Sequence, residues 1–187
     1  MARLTLVDPE TTSGDVRAAF DLLPVKLNIF RMMAHAETCM APLMRLGGSI
    51  LALQQLGGRE RALVVLQAAA LEGGAYEWRQ HVPIAQSAGV TSEQIAALEA
   101  AAFDSDVFNE AEQALLAFSR QVIENVRVDA QVFAAMRAHF SEREIVETIL
   151  AIGFYMMMAR LTEATETDLD PAAGTAVVDS IDREELK

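Results

Sequence analysis

Glu77 and His81 stand four residues apart in "EGGAYEWRQHVPIA" (Glu72 to Ala85). On a helix that spacing puts both side chains on one face, close enough to touch. A carboxylate beside an imidazole orients the ring and raises its pKa, so the pair is suited to moving protons near neutral pH. Pro83 follows two residues later. It has no N–H, frees the carbonyl of Arg79 and tends to bend the helix, which would make one wall of a cavity. Tyr76 and Trp78 flank the pair and can contact an unsaturated or ring-shaped ligand. Arg31 is one of few cations near the N-terminal apolar segment and is a candidate clamp for a substrate carboxylate. These five residues are the expected site: Glu77 and His81 for proton transfer, Tyr76, Trp78 and Arg31 for binding.

Other reactive side chains fit less well. Glu77 and His81 could offer two metal ligands, with His35 or His139 as a third. However, zinc sites need three or four protein ligands, and no HExxH-type pair is present. No metal is therefore expected. His35 and His139 read as satisfied or exposed. Cys39 is the single cysteine, cannot form an intrachain disulfide, and reads as a buried inert thiol among Met and Leu.

The elements that must position the pair are helical. Apolar residues recur at helical spacing, Gly and Pro fall between the periodic segments, and no short hairpin appears. "SGDVRAAFDLLP" reads as a short helix stopped by Pro24. Asn28–Gly58 reads as one or two helices with breaks near Ala41-Pro42 and Gly47-Gly48. "RERALVVLQAAALEGG" is apolar on nearly all sides and belongs at the centre of a fold. The segment bearing Glu77 and His81 follows as a separate helix, closed by Ala88-Gly89. Capping boxes open two further helices, Thr91 with Gln94 and Ser141 with Glu144. Asp129 starts a third. The Ser141 helix is the second nearly all-apolar one. The expected architecture is a single all-α domain over residues 1–187 with two buried central helices. It carries an N-terminal arm and helix (1–26) and an acidic tail (164–187).

Composition limits the partners. Counted with glycine, the apolar share is roughly 56%, above the ~45–50% of soluble domains, so apolar surface is expected to be hidden in a homo-oligomer. The formal charge of −12 argues against nucleic acid, which needs clustered Lys and Arg. Half of that imbalance lies in the last 25 residues, which read as a solvated extension. The unbroken apolar runs, Ala62–Leu66 and Ile149–Met158, are shorter than the ~20 residues that span a bilayer. With no leader pattern at the N-terminus, the reading is cytoplasmic, with a small-molecule substrate as partner and no membrane.

The stretch "RERALVVLQAAALEGGAYEWRQHVPIAQSAGVTSEQIAAL" resembles the central segment of the carboxymuconolactone decarboxylase-like family, which includes the alkylhydroperoxidase D-like proteins. "LNIFRMMAHAETCMAPLMRLGGSIL" looks like its lead-in helices and "FSEREIVETILAIGFYMMMARL" like its last long helix. The resemblance covers roughly residues 27 to 161. It implies an all-α fold assembled as trimers or hexamers. It also implies one of two chemistries. The peroxidase branch carries a Glu, a CxxC pair and a His; counted from His81, those positions are Ala62, Gly74 and Glu77 here, so only His81 matches. Without the pair, the family's disulfide cycle cannot run within one chain. The decarboxylase branch uses no cysteine and no cofactor. It releases carbon dioxide from a carboxylated lactone formed in aromatic-acid breakdown, and Glu77 and His81 resemble its acid–base residues. The reading is a cofactor-independent lyase on a small carboxylated, unsaturated substrate. The alternatives are a peroxidase of the antioxidant type and a non-catalytic oligomeric protein that binds a hydrophobic ligand.

Overall fold

The structure, a computed structural model, describes residues 2–182 and 184. Among them the regular elements are all helical: a 3-10 turn at Pro9–Thr11, then α1 (Gly14–Asp21), α2 (Asn28–Met33), α3 (Glu37–Ala52), α4 (Gly58–Glu72), α5 (Ala75–Ser87), α6 (Ser92–Glu99), α7 (Glu110–Asn125), α8 (Ala130–His139), α9 (Glu142–Ala164) and α10 (Ala176–Asp179). The all-α expectation holds.

α4 is the axis of the fold and packs on α5, α6, α7 and α9. Its residues from Ala62 to Ala69 are buried without a gap. That is the physical meaning of its all-round apolarity: neighbours cover every side. One side meets Ile145, Ile152 and Tyr155 of α9 and Leu115 and Phe118 of α7. The other meets Ala85, Leu98, Phe108 and Leu116. A third cluster joins α1, α2 and α3 to Met158 of α9. α9 is the second central helix, but it is buried on one face only. Val146, Ile149, Leu150 and Met157 on it are exposed.

Local signals set most boundaries. Both expected capping boxes form, at Thr91/Gln94 and Ser141/Glu144, and a third forms at Asn109/Glu112. Gly73 ends α4 with φ of 69°, a left-handed conformation that glycine adopts without a Cβ penalty. Arg59, at the start of α4, bonds Glu112 at 2.9 Å, Gln94 at 2.7 Å and the Gly89 carbonyl, locking α4 to α6 and α7.

Four expectations are corrected. The break in the second segment falls at Ala34–Ala36, not at Pro42 or Gly47-Gly48; α3 runs through both. Pro42 gives up one bond, to Thr38, near the helix start. Gly47 lies within α3 and leaves room for the Phe154 ring, which would stand 2.9 Å from a Cβ at that position. Asp129 occupies the N-cap of α8, but its carboxylate accepts from the Gln121 side chain instead of capping. The acidic tail is not a solvated extension over its first part. Thr167 is buried, and the carboxylate of Asp170 accepts from the backbone N–H of Asn28 (2.6 Å) and from the Tyr76 hydroxyl. Finally, α9 as a whole is long and apolar enough to cross a bilayer by length and composition, although its unbroken apolar run is not. In this fold its buried face packs on α4 and α5.

Candidate active site

α5 carries the site. It runs from Ala75 to Ser87 with Pro83 inside it. Its Tyr76, Glu77, Gln80, His81 and Ile84 all line one cavity of about 750 Å³, within the ~300–1,000 Å³ of ligand pockets. α1, α2 and α3 form the opposite wall, and Phe154, Tyr155 and Met158 of α9 form another. The segment with α10 closes a further side through Val177, Val178 and Ile181. Most of the lining is aliphatic or aromatic. The charged groups on it are Asp15, Arg45, Glu77 and Asp182.

Glu77 is buried. Its two carboxylate oxygens each lie 3.1 Å from the Thr162 hydroxyl, which reaches across from α9. Burial disfavours the charged form and pushes its pKa up to about 7; its own backbone N–H and the Thr162 hydroxyl oppose that shift. The carboxyl thus exchanges its proton near neutrality. Gly74 makes room for it. A Cβ at Gly74 would stand 2.8 Å from a Glu77 oxygen and 3.0 Å from the Cβ of Ala159. The place of the first thiol of the peroxidase pattern is therefore taken up by the Glu77 carboxylate and α9.

His81 also lines the cavity, but its ring does not pair with Glu77. It stands edge-to-face on Tyr155, with ring centres 4.7 Å apart and planes at 86°. Among the described residues the imidazole makes no hydrogen bond. Burial lowers its pKa to about 4, so it is neutral at physiological pH. The expected carboxylate-raised imidazole is corrected on both counts: the sign of the shift is reversed, because desolvation has no opposing ion pair, and Glu77 is held by Thr162 instead. Burial also holds the Tyr155 hydroxyl in its protonated form.

Tyr76 lines the cavity, and its hydroxyl donates to Asp170 while accepting from the Ile29 N–H (3.3 Å). Gln80, one turn on, donates to the carbonyl of Pro171 (3.2 Å) and accepts from the N–H of Ala173 (3.0 Å). The two tie the tail over the cavity. Trp78 does not reach it. It points the other way round α5 and packs with Val82 on the α4–α7 cluster. Arg31 is also outside the cavity; its guanidinium bonds the Val7 carbonyl (3.0 Å) and Asn28, tying down the N-terminal arm. Cys39 is exposed, not buried, and lies outside the cavity lining. The His35 Nε2–H donates to the Thr5 carbonyl (2.7 Å), and His139 is exposed. Among the described residues no three His, Cys, Asp or Glu side chains form a group that could hold a metal ion.

Sequence reasoning missed Tyr155, Thr162 and Arg45. A signal for the first two was present: Thr148, Tyr155 and Thr162 recur every seven residues on α9, and all three are buried. A polar stripe at that spacing on an otherwise apolar helix faces one partner, here α4 and α5.

With this geometry in hand, the comparisons with known proteins agree with the resemblance. Residues 38–120 match the Carboxymuconolactone decarboxylase family, a span that includes α4, α5 and the Glu77–His81 face. Among solved structures, a protein of unknown function from Agrobacterium tumefaciens, linked there to the antioxidant defence protein AhpD, is 26% identical. That match covers 73% of this chain and 94% of that one, with a TM-score of 0.67. The AhpD core of a peroxidase-related protein from Ralstonia eutropha JMP134 has a TM-score of 0.78 at 17% identity, covering 90% and 92%. The debrominase Bmp8, in a cysteine-to-alanine variant bound to 2,3,4-tribromopyrrole, has a TM-score of 0.73 at 22% identity, covering 97% and 100%. The last two likenesses concern the fold. No curated protein matches the chain. Residues 38–120 thus resemble the Carboxymuconolactone decarboxylase family, and the fold is like that of AhpD-like proteins.

Proposed function

We propose that the protein is a cofactor-independent lyase that decarboxylates a small, largely apolar, unsaturated substrate of the carboxylated lactone kind. The observation that carries this reading is the Glu77 carboxyl, poised near neutrality in an apolar cavity whose lining holds no thiol. An ideal proton donor has a pKa close to the working pH. In the step, the bond between the substrate and its carboxylate breaks and carbon dioxide leaves. The electron pair passes into the conjugated system as an enolate, and the protonated Glu77 delivers its proton to carbon. Glu77 then regains a proton from solvent. Apolar walls favour the first half, because the carboxylate charge disperses as the bond breaks. Neutral His81 and the Tyr155 hydroxyl supply uncharged polar groups beside the developing charge. A heavily charged substrate suits the cavity poorly, since Asp15, Glu77 and Asp182 line it against Arg45 alone.

The peroxidase reading lacks a thiol at the site, as Cys39 is exposed elsewhere. The carrier reading is supported by the apolar walls and predicts binding without turnover. The deciding experiment measures carbon dioxide release from a panel of carboxylated lactones by wild type and Glu77→Gln. The expected result is a loss of at least about 100-fold in the variant, the scale of a general acid. Equal rates, or no release from any substrate, sink the proposal.

A further inference from the structure

The cavity has two unlike sides. The groups that can do chemistry, Glu77, His81 and Tyr155, stand on α5 and α9. The opposite wall of α1, α2 and α3 is apolar apart from Asp15 and Arg45; Leu23, Leu27, Phe30, Met33 and Met44 line it. The apolar lining continues to positions open to solvent. Ala18 of α1 and Leu22 at its C-cap also line the cavity; Ala18 is exposed, and Leu22 is 66% exposed. A leucine in that place gains from a ligand that covers it.

Size adds to this. At the ~30 Å³ that one water takes up in the liquid, about 750 Å³ is room for about 25 such groups, and a carboxylated lactone ring of about a dozen heavy atoms fills at most half of it. The remaining space is walled mostly by aliphatic side chains, where water finds few partners.

We infer that the substrate carries an apolar substituent, an alkyl chain or aryl group of roughly ten further heavy atoms, which runs from the reacting ring along the α1–α3 wall to Leu22. The inference rests on the reading of the cavity as the substrate site and names the part of the molecule that the chemistry does not touch. Burying the substituent supplies binding energy that a bare ring lacks and sets the depth at which the ring meets Glu77. A polar or charged substituent is selected against, because leucine and methionine side chains give it no partner for the water it loses.

The test titrates the full chain by calorimetry with a homologous series of uncharged γ-lactones whose side chains run from methyl to octyl. Affinity should rise by about two- to fourfold with each added CH₂, the scale of its transfer out of water. Ala18→Trp fills the space beside Leu22 and should weaken the octyl lactone at least about tenfold while leaving the methyl lactone within about twofold. Leu22→Asp should also weaken the octyl lactone alone, by placing a charge against its chain, and it decides the matter if Ala18→Trp fails to fold. A smaller rise along the series, or an octyl-to-methyl ratio that survives both substitutions, overturns the inference. These lactones have no carboxylate to lose, so the readout is binding without turnover. Absence of carbon dioxide release from the carboxylated panel would sink the lyase reading and leave this result standing. A flat series beside carbon dioxide release would do the reverse.

Discussion

Wild-type stability should respond to pH through two groups of opposite sign, buried Glu77 and part-buried His81, and replacing Glu77 with Gln should leave only the second. The Glu77 carboxyl titrates near 4.5 when unfolded and about 7 when folded. Its contribution is fully present below about pH 4.5 and is lost as pH rises through about 7. At about 1.4 kcal/mol per pH unit, the loss is about 3 kcal/mol. His81 runs the other way. Its pKa falls from 6.5 to about 4, so its contribution is present above 6.5 and is lost as pH falls through about 4. Between about pH 4.5 and 6.5 the two slopes oppose each other, and wild type should show little net dependence from this pair. Gln keeps an oxygen to accept from Thr162 and cannot ionise. The variant should therefore gain on wild type by about 3 kcal/mol between pH 4 and pH 8, and its own stability should rise with pH across the His81 window. Urea unfolding followed by circular dichroism, at pH steps across that range, measures the difference directly. A stability difference that stays constant with pH to within about 1 kcal/mol would refute the claim that a buried, desolvated Glu77 governs the site.

Two further outcomes follow from geometry. Thr162→Val removes the hydroxyl that donates to Glu77 and opposes its upward shift, so the Glu77 pKa should climb further; an NMR titration of the side-chain carboxyl in wild type and variant reads it, and an unchanged or lower value counts against the Thr162 contact. Val146, Ile149, Leu150, Gly153 and Met157 form an exposed stripe on α9 at helical spacing, which is the face we propose for the expected homo-oligomer. Leu150→Lys with Met157→Lys should then reduce the mass seen by light scattering toward the 20.3 kDa of one chain, and an unaltered assembly would assign the contact elsewhere.

What the sequence made legible was local. The Thr91/Gln94 and Ser141/Glu144 boxes depend on residues three apart, and both form. Glu77 and His81 share a face because their spacing is four, and both line one cavity. What it hid was long-range. Thr162 lies 85 positions from the carboxyl it holds, and no local pattern pairs them. Gly47 reads as a breaker until Phe154 is found packed on it. The direction of the His81 shift also depends on tertiary structure: the spacing promised a carboxylate partner, whereas the fold supplies Tyr155 and removes water. Trp78 and Arg31 went astray for a simpler reason, since residue type marks a side chain as able to bind a ligand but not which way it points.

The tethers of the tail sit one residue before each member of the site. Tyr76 precedes Glu77 and Gln80 precedes His81, so α5 presents two adjacent columns of side chains that both reach the cavity, one of them also holding the tail. The two columns share a single rigid backbone. The residues that hold the cover down and the residues offered to a ligand are therefore neighbours on a single turn of helix, so a substitution that frees the tail at Tyr76 or Gln80 also alters the wall beside Glu77 and His81.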